Sequence, residues 1–215
     1  MRVAVLISGR GTNLQALINS CHSAENPANI VSVISNEPEA PGLLLADEKG
    51  ITTSTIDHRN FSDRGAFESE LIEKLEVAET DLVCLAGFMR LLTPIFVNHW
   101  RDRLINVHPS LLPAFKGLHT HRRVLELGAR FTGCTVHFVR PEMDDGPIIV
   151  QAITTVHPDD TEETLSKRVL LLEHRCYPLA LRWIADGKVH VIDERVAIDN
   201  TDTDKVWFVN PKAYE

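Results

Sequence analysis

The sequence predicts an α/β fold: a mostly parallel open sheet flanked by helices on both faces, with an antiparallel edge formed by late strands. Three observations predict it. Short apolar runs of strand length recur through the first two thirds of the chain. Segments with apolar residues at helical spacing separate them, the rhythm of βαβ units and of a sheet buried on both faces. Beyond residue 130, two β-rich runs follow one another with only a turn between them, which suits antiparallel pairing.

Taken in order, Val3–Ile7 is an apolar strand ended by Ser8-Gly9, and Leu14–Ile18 opens the helix behind it. Ile30–Ile34 is a second strand ended by Ser35-Asn36; a helix over Gly42–Lys49 and a third strand, Ile51–Ile56, follow. From Ser62 to Glu76, the residues Phe67, Leu71, Ile72 and Leu75 recur at helical spacing. Leu82–Ala86 and Leu104–Val107 are the fourth and fifth strands, ended by Gly87 and by His108-Pro109. Thr132–Val139 and Ile148–Val156 are the pair expected at the antiparallel edge, joined by the Arg140–Pro147 turn. A long helix then begins at a capping pair, Asp160 with Glu163. Its apolar stripe is Leu165, Val169, Leu172, Cys176, Leu179 and Trp183, Pro178 should bend it, and Gly187 ends it. The tail after Val189 is polar with short strand-like pieces. With no repeat, low-complexity stretch or long linker, one domain over 1–215 is the economical reading.

Composition narrows the function. With 215 residues, 44% hydrophobic and 24% charged, the chain has ordinary globular usage and enough length for a substantial core. No run approaches the roughly 20 apolar residues that span a bilayer, and Ser8-Gly9 interrupts the only amino-terminal apolar stretch, so a cytoplasmic location is expected. Cys21, Cys84, Cys134 and Cys176 lie far apart and form no CxxC pair, which argues against a zinc site or redox dithiol. A net charge of −8 repels nucleic-acid phosphates, and a small anionic ligand would need local compensation by backbone amides or a few basic side chains.

In open parallel sheets, ligands bind beyond the carboxyl ends of the strands, and the residues there are unusual. After the first strand comes Ser8-Gly9-Arg10-Gly11-Thr12-Asn13-Leu14: glycines for a tight turn, then a helix start whose free N–H groups cradle an anion. It lacks the Gly-Lys-Ser/Thr of a Walker loop, and Leu14 stands where a dinucleotide fingerprint needs its third glycine, so a monophosphate is the better ligand. On the fifth strand Asn106 and His108 point to one face, where an amide donor beside an imidazole can address a single carbonyl oxygen. Met143-Asp144-Asp145-Gly146-Pro147 carries more charge than a hairpin turn requires, and a carboxylate brought beside His108 would orient it and favour its charged form. Gly87-Phe88-Met89-Arg90-Leu91-Leu92-Thr93-Pro94, after the fourth strand, suits a flat heteroaromatic ring or an ordinary helix-packing loop.

Together these segments resemble the folate-dependent formyltransferase superfamily. The resemblance runs over nearly the whole chain, through VLISGRGTNLQALI, LAGFMRLLTP, INVHPSLLPAFKGLHTHRRVLELG, TVHFVRPEMDDGPII and LLEHRCYPLAL. The Asn-x-His-Pro-Ser-Leu-Leu-Pro motif with a downstream Asp and Gly-Pro belongs to that superfamily, and the Gly-Arg-Gly-Thr-Asn loop to its glycinamide ribonucleotide branch. The resemblance implies a Rossmann-like formyltransferase fold and transfer of the formyl group of 10-formyltetrahydrofolate to the amine of phosphoribosylglycinamide, in purine biosynthesis. It implies Asn106, His108 and Asp144 as catalytic residues. Gly11, Thr12, Asn13 and Glu173 match substrate contacts; Arg64, Met89, Arg90, Leu91, Leu92, Asn106, Arg140 and Asp144 match folate contacts. No metal is implied. About 1–110 would be the nucleotide-phosphate-binding half, about 111–190 the folate and catalytic half, and 190–215 a carboxyl-terminal tail. Two positions depart from the pattern: Asp145 adds a second carboxylate beside the site, and Leu170 replaces a polar substrate contact.

Arg10, Arg64, Arg90, Lys116, His119, His121, Arg122 and Arg123 gather chargeable groups near these loops, although Arg122 and Arg123 read as solvated helix residues. Small molecules are the expected partners, with a monomer or homodimer as the working state. A 10-formyltetrahydrofolate hydrolase is the alternative within the class, and its usual amino-terminal domain has no room before a strand that starts at residue 2. A methionyl-tRNA formyltransferase would call for a basic face and a further domain. From another class, a nucleotide-binding oxidoreductase could use Glu37 on a ribose, but it leaves the Asn-x-His motif unexplained.

Overall fold

The computed structural model describes residues 1–23, 26–199 and 210, so most of the polar tail lies outside the described residues. Seven strands form one sheet: β1 (Arg2–Ile7), β2 (Asn29–Ser35), β3 (Thr52–Thr55), β4 (Leu82–Leu85), β5 (Leu104–His108), β6 (Phe131–Phe138) and β7 (Ile148–Thr155). Their order is β3-β2-β1-β4-β5-β6-β7, parallel from β3 to β5 and antiparallel for β5·β6 and β6·β7. The predicted sheet and its antiparallel edge are both present. The sheet runs unbroken through the boundary expected near residue 110.

The central strands β1 and β4 read as uninterrupted apolar runs because both their faces are buried. Along β1, Val3, Val5 and Ile7 enter one core and Ala4 and Leu6 the other, all with no exposure. The first core lies under α1 (Thr12–Cys21), α2 (Pro41–Asp47), α5 (Thr120–Glu126) and α6 (Glu162–Ala185), whose Leu14, Ala46, Val124 and Tyr177 all enter it. The second lies under α3 (Arg64–Val77) and α4 (Pro94–His99), filled by Phe67, Leu71, Phe96 and Trp100. Tyr177 ties α6 to the sheet, its hydroxyl donating to Leu85 O at 3.0 Å and Ile105 O at 3.1 Å.

Two details of α6 differ from the sequence reading. The cap of α6 is one residue later: Thr161 is the N-cap and shares a capping box with Thr164. Asp160 instead accepts from Thr164 Oγ1 and pairs with Arg168. Leu179 points outward, and Tyr177, Ala180 and Leu181 fill that end of the stripe. Pro178 lies inside this 24-residue helix. The short strand-like pieces expected after Val189 are present as a hairpin, β8 (Val189–Ile192) with β9 (Arg195–Ile198).

Candidate active site

At the carboxyl end of β1 the chain turns through Ser8–Gly11 into α1. Gly11 sits at φ 75°, ψ 29°, where side-chain-bearing residues are strained, and a Cβ there would meet Gly42 Cα at 2.9 Å. Gly42 N donates to Gly9 O at 3.0 Å, and a Cβ on Gly42 would come within 2.6 Å of Ile7 Cδ1. Two backbones touch here because neither carries a side chain. No side chain caps α1, so its first N–H groups remain for a ligand. Beside them Asn13 donates to Glu173 Oε2 of α6 at 2.7 Å. Burial pushes the Glu173 carboxyl up, against the Asn13 hydrogen bond. Asn13 Oδ1 is buried with no protein partner, an acceptor suited to a hydroxyl-bearing ligand. Thr12 and Leu170 are half-buried.

The segment after β4 is bound to this turn. Ser8 N donates to Gly87 O at 3.2 Å, and Met89 N donates to Ser8 Oγ at 2.8 Å. From α3, buried Glu68 accepts from Thr93 N at 2.7 Å and from the Thr93 hydroxyl. Met89 and Leu91 are left 69% and 63% exposed, far more than apolar side chains need to be in a packing loop. Arg90 and Leu92 are half-buried, and Arg64 is exposed at the first position of α3.

The third group forms where β5 meets β6. Antiparallel register sets Asn106 opposite His137 and His108 opposite Thr135, so these four side chains share one face. His137 Nδ1 lies 2.9 Å from Phe138 O, which places the proton on Nδ1 and leaves Nε2 as an acceptor for Asn106 Nδ2 at 3.4 Å. Burial holds the His137 pKa below its ordinary value, with the Phe138 carbonyl and Asp144 opposing, so the ring is neutral near pH 7. His108 Nε2 lies 2.9 Å from Phe115 O, and its Nδ1 lies 3.5 Å from Asp144 Oδ2. Asp144, at φ 53°, reaches back from the β6–β7 connection; Oδ2 accepts from Gly117 N at 2.8 Å, and Oδ1 is 4.0 Å from His137 Nε2. Asp144 is thus beside His108, and Asn106 is oriented by His137, a residue that the sequence reading did not single out. Its only signal was its place on a strand opposite Asn106, and register is invisible before pairing is known.

Other expected residues divide. Asp145 forms an ion pair with Lys116, so the extra carboxylate is matched by a cation. Arg140 turns its guanidinium to Asp102 and Glu194. Arg123 is not merely solvated: Nη1 donates to Lys116 O at 2.6 Å, bracing the segment that supplies Phe115 O. Arg122 pairs with Glu162 at 3.5 Å. Among the described residues no group of three or more His, Cys, Asp or Glu could hold a metal ion, and no helix is long and apolar enough to cross a membrane.

An uncapped helix start and an amide–imidazole–carboxylate cluster lie at one end of this sheet, and the class they point to is that of the formyl transferases. Residues 1–181 match the formyl transferase family, and the chain belongs to it. Within that family it is 44% identical over 199 residues to phosphoribosylglycinamide formyltransferase of Escherichia coli (strain K12), covering 93% of this chain and 94% of that one. The solved structure of glycinamide ribonucleotide transformylase 1 from Symbiobacterium toebii superposes with a TM-score of 0.90 at 44% identity, over 92% of this chain and 93% of that one. The trifunctional purine biosynthetic protein adenosine-3 of Bos taurus is 50% identical over 88% of this chain, which spans 19% of that protein's length. A formyltetrahydrofolate deformylase structure from Pseudomonas syringae is more distant, at 26% identity and TM-score 0.86, with 65% of its chain covered.

Proposed function

We propose that this protein transfers the formyl group of 10-formyltetrahydrofolate to the amine of phosphoribosylglycinamide, as a cytoplasmic enzyme of purine biosynthesis. The observation that carries the reading is the convergence of Asn106, His108 and Asp144, with Asp144 Oδ2 3.5 Å from His108 Nδ1. The ribonucleotide's phosphate would sit on the Gly11–Asn13 turn, and its ribose hydroxyls suit the unpartnered Asn13 Oδ1 and the Glu173 carboxylate. The folate supplies a formyl group on a flat ring, and the exposed apolar side chains of Met89 and Leu91 beside the bound backbone of 87–93 suit such a ring.

In the reaction the amine's lone pair attacks the formyl carbon and the carbonyl oxygen takes the negative charge. Asn106 has a second N–H beyond the one directed at His137, and it would donate to that oxygen. His108 is pinned at Nε2 by Phe115 O, which leaves its Nδ1 edge to face the site alongside Asp144. Asp144 would accept the proton lost by the amine, directly or through water, and a proton returns to the departing folate nitrogen as the carbonyl re-forms.

The experiment mixes the protein with 10-formyl-5,8-dideazafolate and the ribonucleotide and follows the deformylated product by absorbance. Ribonucleotide-dependent release is the expected result. Release that ignores the ribonucleotide would favour the hydrolase reading, and tight NAD(P)H binding seen by fluorescence would favour the oxidoreductase.

A further inference from the structure

The loop that carries Asp144 is held at its neck by a side chain the chemistry leaves over. Arg140 lies just beyond β6, four residues before Asp144, and only 5% of its side chain is exposed. Nε donates to Glu194 Oε2 at 2.5 Å, Nη2 to Asp102 Oδ1 at 2.6 Å and Nη1 to Val139 O at 3.2 Å. Asp102 belongs to the turn that enters β5, the strand of Asn106 and His108, and it sits at φ 58°. Glu194 occupies the turn of the β8–β9 hairpin, also at φ 58°, and is paired with Arg101 as well. One guanidinium therefore joins the approach to β5, the start of the Asp144 loop and a hairpin far along the chain.

The other end of the loop closes on the same place. A Cβ on Gly146 would overlap Phe138 O at 1.7 Å and approach Arg140 Cγ to 3.3 Å, so residues 140 and 146 are in contact and only glycine fits. Phe138 N completes the neck by donating to Pro147 O at 2.9 Å. Between these points the loop has no helix or strand, so the direction of Asp144 depends on the neck, on the Gly117 N–H and on the neighbouring Asp145–Lys116 ion pair.

We propose that Arg140 is a positioning residue whose ion pairs with Asp102 and Glu194 fix the Asp144 loop against β5 and so set the Asp144–His108 separation. The proposal rests on the catalytic reading of those two residues. A guanidinium suits the task because its planar fork holds two carboxylates in fixed directions, and removing them strands a shielded charge at the neck. It also reassigns Arg140 itself: its side chain serves protein carboxylates, and any contact of this position with the folate would be through the main chain.

The test uses the full chain with Asp102→Asn and Glu194→Gln, singly and combined, neither of which adjoins the candidate site. The double variant is expected to lose about tenfold in kcat while KM for each substrate stays within about twofold, since a misdirected base weakens the transition state alone. Arg140→Met should match it, and Arg140→Lys should recover part of the loss. Should Arg140→Met fail to fold, the two surface carboxylate variants carry the test unaided. A double variant with normal kcat overturns the proposal, as does one whose melting temperature falls while kcat, measured well below it, does not. Asp144→Asn in the same assay separates the two layers: if it is active, the catalytic reading fails; if it is inactive while the anchor variants are normal, only the anchor fails.

Discussion

The two ends of the cleft are built from different materials. At the Gly11 end the site is main chain: a left-handed glycine, a helix start without a side-chain cap, and a second backbone pressed against it at Gly42. At the His108 end it is side chain: Asn106 from β5 is oriented by His137 of β6, while His108 and Asp144 are directed by main-chain groups of the 115–117 segment. The first end is rigid by exclusion, because nothing larger than hydrogen fits. The second is rigid only while several hydrogen bonds hold together. Binding should therefore fail at one end and chemistry at the other, and the effects of substitution should sort accordingly.

The largest effects belong to the side-chain end. Asn106→Ala, His108→Ala and Asp144→Ala should each lower turnover by ~10²–10⁴-fold with the melting temperature nearly unchanged. Steady-state rates beside a thermal melt check this. Near-normal turnover in any one removes that residue from the mechanism.

Gly11→Val attacks the other end. Its Cβ would meet Gly42 Cα at 2.9 Å from a backbone at φ 75°, so the turn must move. KM for the ribonucleotide should rise at least about tenfold while KM for the folate stays within about twofold. An equal rise in both would erase the contrast between the two ends.

The same contrast explains what could be read from the sequence. The Gly11 turn was legible because glycine, glycine and a helix start are adjacent in the chain, and the steric reason for them is local. Its partner Gly42 was not, since the close approach needs the tertiary fold. Asn106 and His108 were legible through the period of two along a strand, and Asp144 through a motif. The place of His137, which orients Asn106, depends on the β5·β6 register. Glu68, which fixes Thr93, is one of four glutamates on α3, and nothing in the sequence sets it apart from the others. The sheet itself was nearly complete in the sequence because both its faces are buried. The cap of α6 slipped by one residue where Asp160, Thr161 and Thr164 all offer capping oxygens within five positions.

His137→Phe sharpens the comparison at intermediate size. It removes the acceptor that orients Asn106 but leaves the His108–Asp144 pair, so kcat should fall about tenfold, the equivalent of one modest hydrogen bond in the transition state. An effect as large as that of Asn106→Ala would make His137 a participant in its own right, and the single- and double-variant rates decide between these.

The smallest effect is expected at Asp145→Asn. Its ion pair with Lys116 adjoins the His108–Asp144 contact in sequence, yet the Asp145 side chain is 53% exposed and that of Lys116 34%, against 12% for Asp144 and 7% for His108. Water and salt screen a pair in that position, whose worth is commonly about 0.2–1 kcal/mol, so kcat should change less than about fivefold. The adjacent carboxylate, one residue away, is held by a buried imidazole and a backbone N–H instead. If Asp145→Asn costs as much as Asp144→Asn, proximity to the cleft rather than burial decides which carboxylate acts, and the division between the two ends would need redrawing around charge.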